Sequence, residues 1–141
     1  MDTFKVLIVD DEPDFLETIV KRLKRRKIDV TGVESGIRAL ELLEQEHFDV
    51  VILDVRMPGM DGIETLKEMK KKRPLMEVII LTGHASVESG MQGMQFGAFD
   101  YVMKPAEFDE LIEKVRQAFE RKSIHEAKIK ETKIKETRIV T

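Results

Sequence analysis

The sequence has no cysteine, no tryptophan and a single tyrosine among its 141 residues. Without cysteine the chain has neither disulfides nor thiolate ligands for a metal, which is typical of a cytosolic protein. Its longest uninterrupted apolar runs are four residues, whereas a membrane-spanning helix needs roughly 20. The N-terminal residues also lack the apolar segment of a secretory signal. We therefore expect a cytoplasmic protein with no membrane contact.

The overall composition is typical of one folded domain rather than of a disordered chain. Hydrophobic residues make up 42% and charged residues 36%, with a net charge of −3 that argues against a general nucleic-acid binder. The charge is unevenly spread, because Arg121–Thr141 contains seven basic and three acidic residues, a net of +4. The preceding residues then carry −7, which predicts an acidic body followed by a basic tail.

Short apolar runs rich in β-branched residues alternate with amphipathic helical patterns along the body. Such runs, without polar alternation, are typical of strands buried on both faces of a parallel sheet. Pro13 and Ser35 are suited to the first turn and the N-cap of two of the intervening helices. The predicted strands are Phe4–Val9, Val30–Val33, Asp49–Leu53, Val78–Leu81 and Phe99–Met103.

Five strand–helix units in about 120 residues predict an α/β fold with an open, doubly wound parallel sheet. An eight-stranded barrel would need roughly twice this length. Ligands of such open sheets bind beyond the carboxyl ends of the strands. The residues directly after each apolar run are therefore the candidates for chemistry.

Carboxylates, a hydroxyl and an ammonium group follow the predicted strands. Asp10-Asp11-Glu12 ends the first strand, Asp54 the third, Thr82-Gly83-His84 the fourth and Lys104-Pro105 the fifth. Clustered carboxylates repel unless a cation relieves them, and hard oxygen ligands suit Mg²⁺ or Mn²⁺. A lysine and a hydroxyl suit a phosphoryl group, which an aspartate can accept as an acyl phosphate.

Four segments carry a resemblance to a known family. They are Val6-Leu7-Ile8-Val9-Asp10-Asp11-Glu12, Asp54-Val55-Arg56-Met57-Pro58-Gly59-Met60-Asp61-Gly62, Leu81-Thr82-Gly83 and Tyr101-Val102-Met103-Lys104-Pro105. In this order they resemble the receiver domain of two-component response regulators, over residues 4 to about 120. The resemblance implies a flavodoxin-like (βα)5 fold with strand order 2-1-3-4-5. We assign residues 1–121 to the receiver domain and 122–141 to a basic tail or an extension of the fifth helix.

The resemblance also implies the roles of the strand-end residues. Asp54 would be the phosphoacceptor, and Lys104 would pair with the phosphoryl group. Mg²⁺ would bind Asp11 directly and Asp10 mostly through water. Asp54 and the backbone carbonyl of Arg56 would be its further ligands. Apart from accepting and slowly hydrolysing its own phosphoryl group, such a domain is not an enzyme.

Further positions match the family's switch and its modulating residues. Thr82 and Tyr101 correspond to the switch pair, whose rearrangement alters the surface of the fourth helix, fifth strand and fifth helix. Arg56 and His84 occupy positions that tune loss of the phosphoryl group to water. Two smaller features complete the match. Gly83 leaves room for the phosphoryl donor, and the Lys104–Pro105 peptide bond is expected to be cis.

The family implies protein partners. The donor would be a histidine kinase or phosphotransfer protein, or a small acyl phosphate. The output would go to a downstream protein or to an effector domain outside this chain. A phosphorylation-dependent homodimer stays open, whereas direct nucleic-acid binding by this chain is not expected.

Two other function classes are compatible with a flavodoxin-like fold. A hydrolase of the haloacid-dehalogenase type uses a second aspartate two residues after its nucleophile, where this chain has Arg56. A flavin or nucleotide carrier is disfavoured because the sequence has no Gly-rich phosphate loop and no tryptophan to stack on a flavin.

Two segments are the hardest to interpret from sequence. Met91 and Met94 lie at helical spacing, for which core filling is the favoured reading and a partner surface the alternative. In the tail, isoleucines recur every five residues from Ile124, a period that builds no continuous stripe on a helix. For the tail we favour a flexible end over a docking element.

Overall fold

Five parallel strands form one sheet in the order β2-β1-β3-β4-β5. The computed structural model describes residues 4–55, 61–83 and 87–140, with backbone alone at Thr82 and at residues 87–89 and 136–140. The predicted fold class and strand order are confirmed. The strands are β1 (Lys5–Val9), β2 (Asp29–Val33), β3 (Val50–Asp54), β4 (Glu77–Thr82) and β5 (Asp100–Met103).

Helices connect the strands, and the first two begin at Pro13 and directly after Ser35, as the sequence predicts. Ser35 Oγ accepts a hydrogen bond from the Arg38 amide, and Asp61 Oδ1 accepts one from the Glu64 amide, so two N-termini are capped by side chains. The helices are α1 (Pro13–Arg25), α2 (Gly36–Gln45), α3 (Gly62–Lys72), α4 (Val87–Gln95) and α5 (Phe108–Val140).

Each face of the sheet is covered by a separate hydrophobic core. In β1, for example, Val6 and Ile8 pack with residues of α1 and α5, whereas Leu7 and Val9 pack with residues of α2 and α3. Alternate residues of a strand point to opposite faces, and all four of these are completely buried. The unbroken apolar runs in the sequence follow from this two-sided burial.

The methionines of α4 do not fill the core, which corrects the favoured interpretation. Met91 is 62% exposed and Met94 43% exposed, and Phe96 just beyond the helix is 40% exposed. Over residues 90–95, where the side chains of this helix are described, Gly90 and Gly93 form the buried side. Two glycines at i and i+3 lie on one helix face, so the methionines next to them point away from the sheet.

The C-terminal tail is helical, which corrects the expectation of a flexible end. Helix α5 runs without interruption from Phe108 to Val140. Its continuation contains neither glycine nor proline, and Lys122–Glu126 and Lys135–Glu131 are ion pairs at the favourable spacing of four residues. Lys122 is only 3% exposed, so the first turn after the assigned boundary at residue 121 still packs on the body.

Despite its length of 33 residues, α5 is too rich in charge to cross a bilayer. Across the described part of the chain, no helix combines the length and the apolar character that a membrane span requires.

Candidate functional site

The carboxyl ends of four strands surround one cavity. Asp10 follows β1, Asp54 is the last residue of β3, Gly83 follows β4 and Lys104 follows β5. The cavity has a volume of about 690 Å³. Its lining residues are Asp11, Glu12, Phe15, Asp54, Gly83, Lys104, Pro105 and Ala106. The fold thus brings the predicted strand-end residues together at one edge of the sheet, where open parallel sheets bind ligands.

The Lys104 side chain crosses this cavity and ends among three carboxylates. Its Nζ lies 2.8 Å from Asp10 Oδ2, 3.0 Å from Glu12 Oε1 and 3.7 Å from Asp54 Oδ2. The same ammonium lies 4.2 Å from the centroid of the Phe15 ring, a cation–π distance. The lysine side chain is 13% exposed, so these contacts replace most of its hydration.

Burial makes the carboxylates of this cluster strongly dependent on a cation. Asp10 is fully buried and Asp54 is 3% exposed, whereas Glu12 is largely exposed. The Glu12 amide donates a hydrogen bond of 2.9 Å to Asp10 Oδ1, which fixes that carboxylate beside the start of α1. Neighbouring buried carboxylates repel each other, and one ammonium cannot neutralise all three.

The electrostatics of the cluster keep Lys104 protonated. Partial burial by itself lowers the pKa of Lys104, but the hydrogen bonds to Asp10 and Glu12 and the attraction of Asp10 and Asp54 outweigh it. The net result is a pKa raised above the ordinary value of a lysine. Lys104 is therefore a permanent positive charge next to Asp54 throughout the physiological pH range.

A divalent cation fits the same cluster by its donor chemistry. One carboxylate oxygen each of Asp10, Glu12 and Asp54 lie within 4.8 Å of one another. Hard oxygen ligands in this arrangement suit Mg²⁺ or Mn²⁺. Asp11 lines the cavity without belonging to this close group, so its predicted direct contact with the ion stays a prediction.

Other predicted residues lie at the edge of the described structure. Arg56 and His84 are outside the described residues, and of Thr82 the backbone alone is described. Tyr101 is half-buried on β5, and its register partner on β4 is Ile80, two residues before Thr82. The Lys104–Pro105 peptide bond is cis, as the resemblance implied.

Sequence reasoning did not assign a role to two residues that contact Lys104. Glu12 was visible only as the third acid of a run, and Phe15 only as the first apolar residue of a helical stripe. The position of Phe15 one turn into α1 places its ring against the ammonium group. An aromatic residue at that distance after a strand-end acid is the signal that would have identified it.

Known proteins are similar to this chain in sequence and fold. The family model described as response regulator receiver domain matches residues 6–116. The transcriptional regulatory protein ZraR of Escherichia coli O157:H7 is 37% identical over 90% of this chain and 29% of its own length. The DNA-binding transcriptional regulator NtrC of Escherichia coli (strain K12) is 37% identical over 80% of this chain and 24% of its own length. The chain therefore spans less than a third of these curated relatives.

Solved structures support the same relationship. The receiver domain of the Francisella response regulator 1452 superimposes with a TM-score of 0.78 and 35% identity, covering 84% of this chain and 98% of that one. The shared region is the sheet with its helices, which carries the cavity described above.

Proposed function

Because the chain belongs to the family of response regulator receiver domains, we propose that Asp54 accepts a phosphoryl group in the presence of Mg²⁺ or Mn²⁺. The observation that supports this most directly is the position of Asp54, almost buried at the cavity and 3.7 Å from a lysine ammonium. A buried carboxylate next to a fixed cation and an acidic cluster is suited to an anionic donor that arrives with a metal ion.

In the proposed reaction an Asp54 carboxylate oxygen attacks the phosphorus of a phosphohistidine or of a small acyl phosphate. A bond forms between that oxygen and phosphorus while the bond from phosphorus to the donor's nitrogen or oxygen breaks. The donor leaves as an imidazole or a carboxylate, and Asp54 becomes an acyl phosphate. Lys104 stabilises the negative charge spread over the phosphoryl oxygens.

The metal ion supplies further neutralisation of that charge and orients the donor. Of the chain's own groups, Asp10, Glu12 and Asp54 offer the converging oxygens, with Asp11 and the Arg56 carbonyl as the further ligands implied by the family. The ammonium of Lys104 already occupies the space between these carboxylates. Lys104 would therefore leave these resting contacts and turn toward the phosphoryl oxygens, while the carboxylates would hold the metal ion.

The proposed output is a change of the surface formed by α4, β5 and α5. Thr82 and Tyr101 act as the switch pair in this proposal, with Gly83 admitting the donor and Arg56, His84 and Pro105 modulating the site. Exposed Met91, Met94 and Met103 lie on this surface and are adaptable contacts for a partner. A shift between two existing populations is sufficient to transmit the signal.

Histidine kinases or phosphotransfer proteins are the proposed donors, and a downstream protein or effector domain the proposed target. The matched region is less than a third of two curated relatives that are named as transcriptional regulators, which supports an effector domain as the proposed target. For this chain we propose a receiver domain over residues 1–121 that continues into the basic helical extension.

Phosphorylation of the intact chain by acetyl phosphate with Mg²⁺ tests the proposal. Intact mass spectrometry is expected to show the addition of one phosphoryl group, and Asp54→Asn is expected to abolish it. Asp109→Asn is the matched control, because Asp109 is an exposed carboxylate paired with Arg26 on the outside of the fold.

Three outcomes contradict the proposal. One is the absence of a phosphorylated species, and the second is a phosphorylated species that persists in Asp54→Asn. The third is continuous turnover of a phosphoester, which would favour a hydrolase. Omitting the metal is expected to reduce the yield strongly, since the carboxylate cluster then repels the donor.

A further inference from the structure

Among residues 90–95 of helix α4, whose side chains the structure describes, the two glycines pack on the sheet. Gly90 and Gly93 are both buried, whereas Met91 and Met94 on the adjoining positions are exposed. Glycine is among the poorest helix formers, and two of them in a helix of nine residues disfavour that helix on its own. The packing that they permit must therefore offset their cost.

The two glycines pack on neighbouring residues of the sheet. A Cβ atom at Gly93 would lie 2.8 Å from Ile80 Cγ1. A Cβ atom at Gly90 would lie 3.0 Å from both Cγ and Cδ2 of Tyr101 and 3.2 Å from Cδ1. Ile80 and Tyr101 are register partners on β4 and β5, so α4 crosses both strands at the same level. The Tyr101 ring thus lies directly against the backbone of α4 where a side chain is missing.

From this contact we infer that Gly90 is a positioning residue for Tyr101. The missing side chain leaves a slot for the aromatic ring, and a Cβ atom at residue 90 would require ring and helix to separate by a few tenths of an ångström. Any movement of the ring changes the packing of α4, and any shift of α4 changes the room for the ring. A role of this contact in signalling, in which phosphorylation shifts α4 by way of the Tyr101 ring, rests on the proposed function. The packing contact itself does not.

The three ring atoms near Gly90 are almost equally distant from the missing Cβ, so a methyl group there would sit over the face of the ring. Such a methyl group cannot be accommodated by rotating the tip of a flexible side chain. Either the ring moves outward or α4 lifts from β5. Both changes expose more of the ring, because Tyr101 is only half-buried to begin with.

The composition of the chain offers a direct probe, since Tyr101 is its only tyrosine. Replacing tyrosine by 3-fluorotyrosine gives a single fluorine NMR resonance in the intact chain. Gly90→Ala is expected to shift this resonance and to increase its sensitivity to solvent. Gln92→Ala is the matched control, because Gln92 is exposed on the same helix, so the change favours the helix without adding an atom against the sheet and should move the resonance clearly less.

A thermal double-mutant cycle tests the same contact without relying on one variant. Gly90→Ala is expected to lower the melting temperature of the otherwise unchanged chain, because the methyl group meets the ring. In a Tyr101→Ala background the ring is gone, so the better helix propensity of alanine is expected to raise the melting temperature. A change in melting temperature of opposite sign in the two backgrounds is the result that supports the packing of the Tyr101 ring against Gly90.

An unchanged fluorine resonance in Gly90→Ala, or the same thermal effect in both backgrounds, would overturn the inference. All of these measurements are made without a phosphoryl donor, so they do not depend on Asp54. If the slot is verified and Asp54 takes up no phosphoryl group, the packing role stands and only the proposed function fails.

Discussion

Lys104 is the residue on which the charge balance of the cavity depends. Its ammonium lies within 3.0 Å of Asp10 and Glu12 and within 3.7 Å of Asp54, and two of these three carboxylates are buried. Loss of this charge takes this ion pair from the fully buried Asp10 carboxylate, which costs more than the loss of any exposed pair.

Lys104→Met is therefore expected to lower the free energy of unfolding by about 3 kcal/mol in a metal-free buffer. The same variant is expected to gain more stability from Mg²⁺ than the unchanged chain, because the ion no longer competes with an ammonium for the carboxylates. Urea unfolding with and without Mg²⁺ measures both effects.

Lys21→Met is the control for this experiment, since Lys21 pairs with Glu17 where both side chains are 65% exposed. Such a pair contributes about 0–1 kcal/mol and should not respond to Mg²⁺. If Lys104→Met and Lys21→Met were equally stable and equally insensitive to the ion, the ammonium would have no compensating role.

The sequence predicts the identity of most residues in the cavity but not their exact contacts. Strand ends can be located because buried strands are apolar up to the last residue, so Asp10, Asp54 and Lys104 stand out. The choice between Asp11 and Glu12 as the third carboxylate depends on the turn into α1, where the Glu12 amide bonds to Asp10. That turn is a tertiary detail without a periodic signal.

At the scale of whole elements, α4 and α5 are where sequence and structure differ. Hydrophobic periodicity assigns methionines to a core, but it cannot show that two glycines bring the helix backbone itself against the sheet. In α5 the periodicity is broken after Phe119, yet the helix continues because more than half of residues 121–140 are Lys, Arg, Glu or Ala, which have high helix propensity, and because ion pairs form along its surface. The absence of a hydrophobic stripe is thus poor evidence against a helical segment when that segment continues a helix that already packs on the sheet.

The extension of α5 is expected to be only marginally stable once it leaves the body. Ala127→Gly, at an exposed position, should reduce the helix content measured by circular dichroism, because glycine costs about 1 kcal/mol relative to alanine. The midpoint of urea unfolding of the body should remain nearly unchanged.

The matched control is Ala118→Gly, at a fully buried position of the same helix. It should lower the unfolding midpoint clearly, since it weakens the part of α5 that packs on the sheet. An equal loss of body stability in both variants would mean that the extension contributes to the fold as a whole.

Considered as a whole, the molecule has two charged poles at opposite ends of its strands. One is the cavity around Asp54, and the other lies about Asp49, directly before β3. Asp49 Oδ2 accepts a hydrogen bond of 2.8 Å from the Lys5 amide, and its Oδ1 lies 2.9 Å from Lys122 Nζ. Lys122 Nζ also lies 3.0 Å from Glu126 Oε1. The second pole thus joins β1, β3 and the first turn of the α5 extension.

The charge of Lys122 is stabilised by this pole. Burial by itself lowers the pKa of Lys122, but hydrogen bonds to Asp49 and Glu126 outweigh it, and the pKa is raised above the ordinary value of 10.5. A raised lysine pKa means that the charged form is preferred in the folded state. Its contribution to stability is complete below the ordinary pKa and is lost as the pH rises through the raised value.

Lys122→Met is accordingly expected to lower the free energy of unfolding by about 2 kcal/mol at pH 8, between the values for exposed and fully buried pairs. The difference from the unchanged chain should shrink as the pH is raised beyond 10.5, where the unchanged chain begins to lose the charge. Urea unfolding over a series of pH values measures this difference. Lys135→Met is the control, because it removes an exposed ion pair from the same helix, and its free energy of unfolding should hardly differ from that of the unchanged chain at any pH. A loss in Lys122→Met that stayed constant up to strongly alkaline pH would contradict a role of the Lys122 charge in holding the basic extension of α5 on the acidic body.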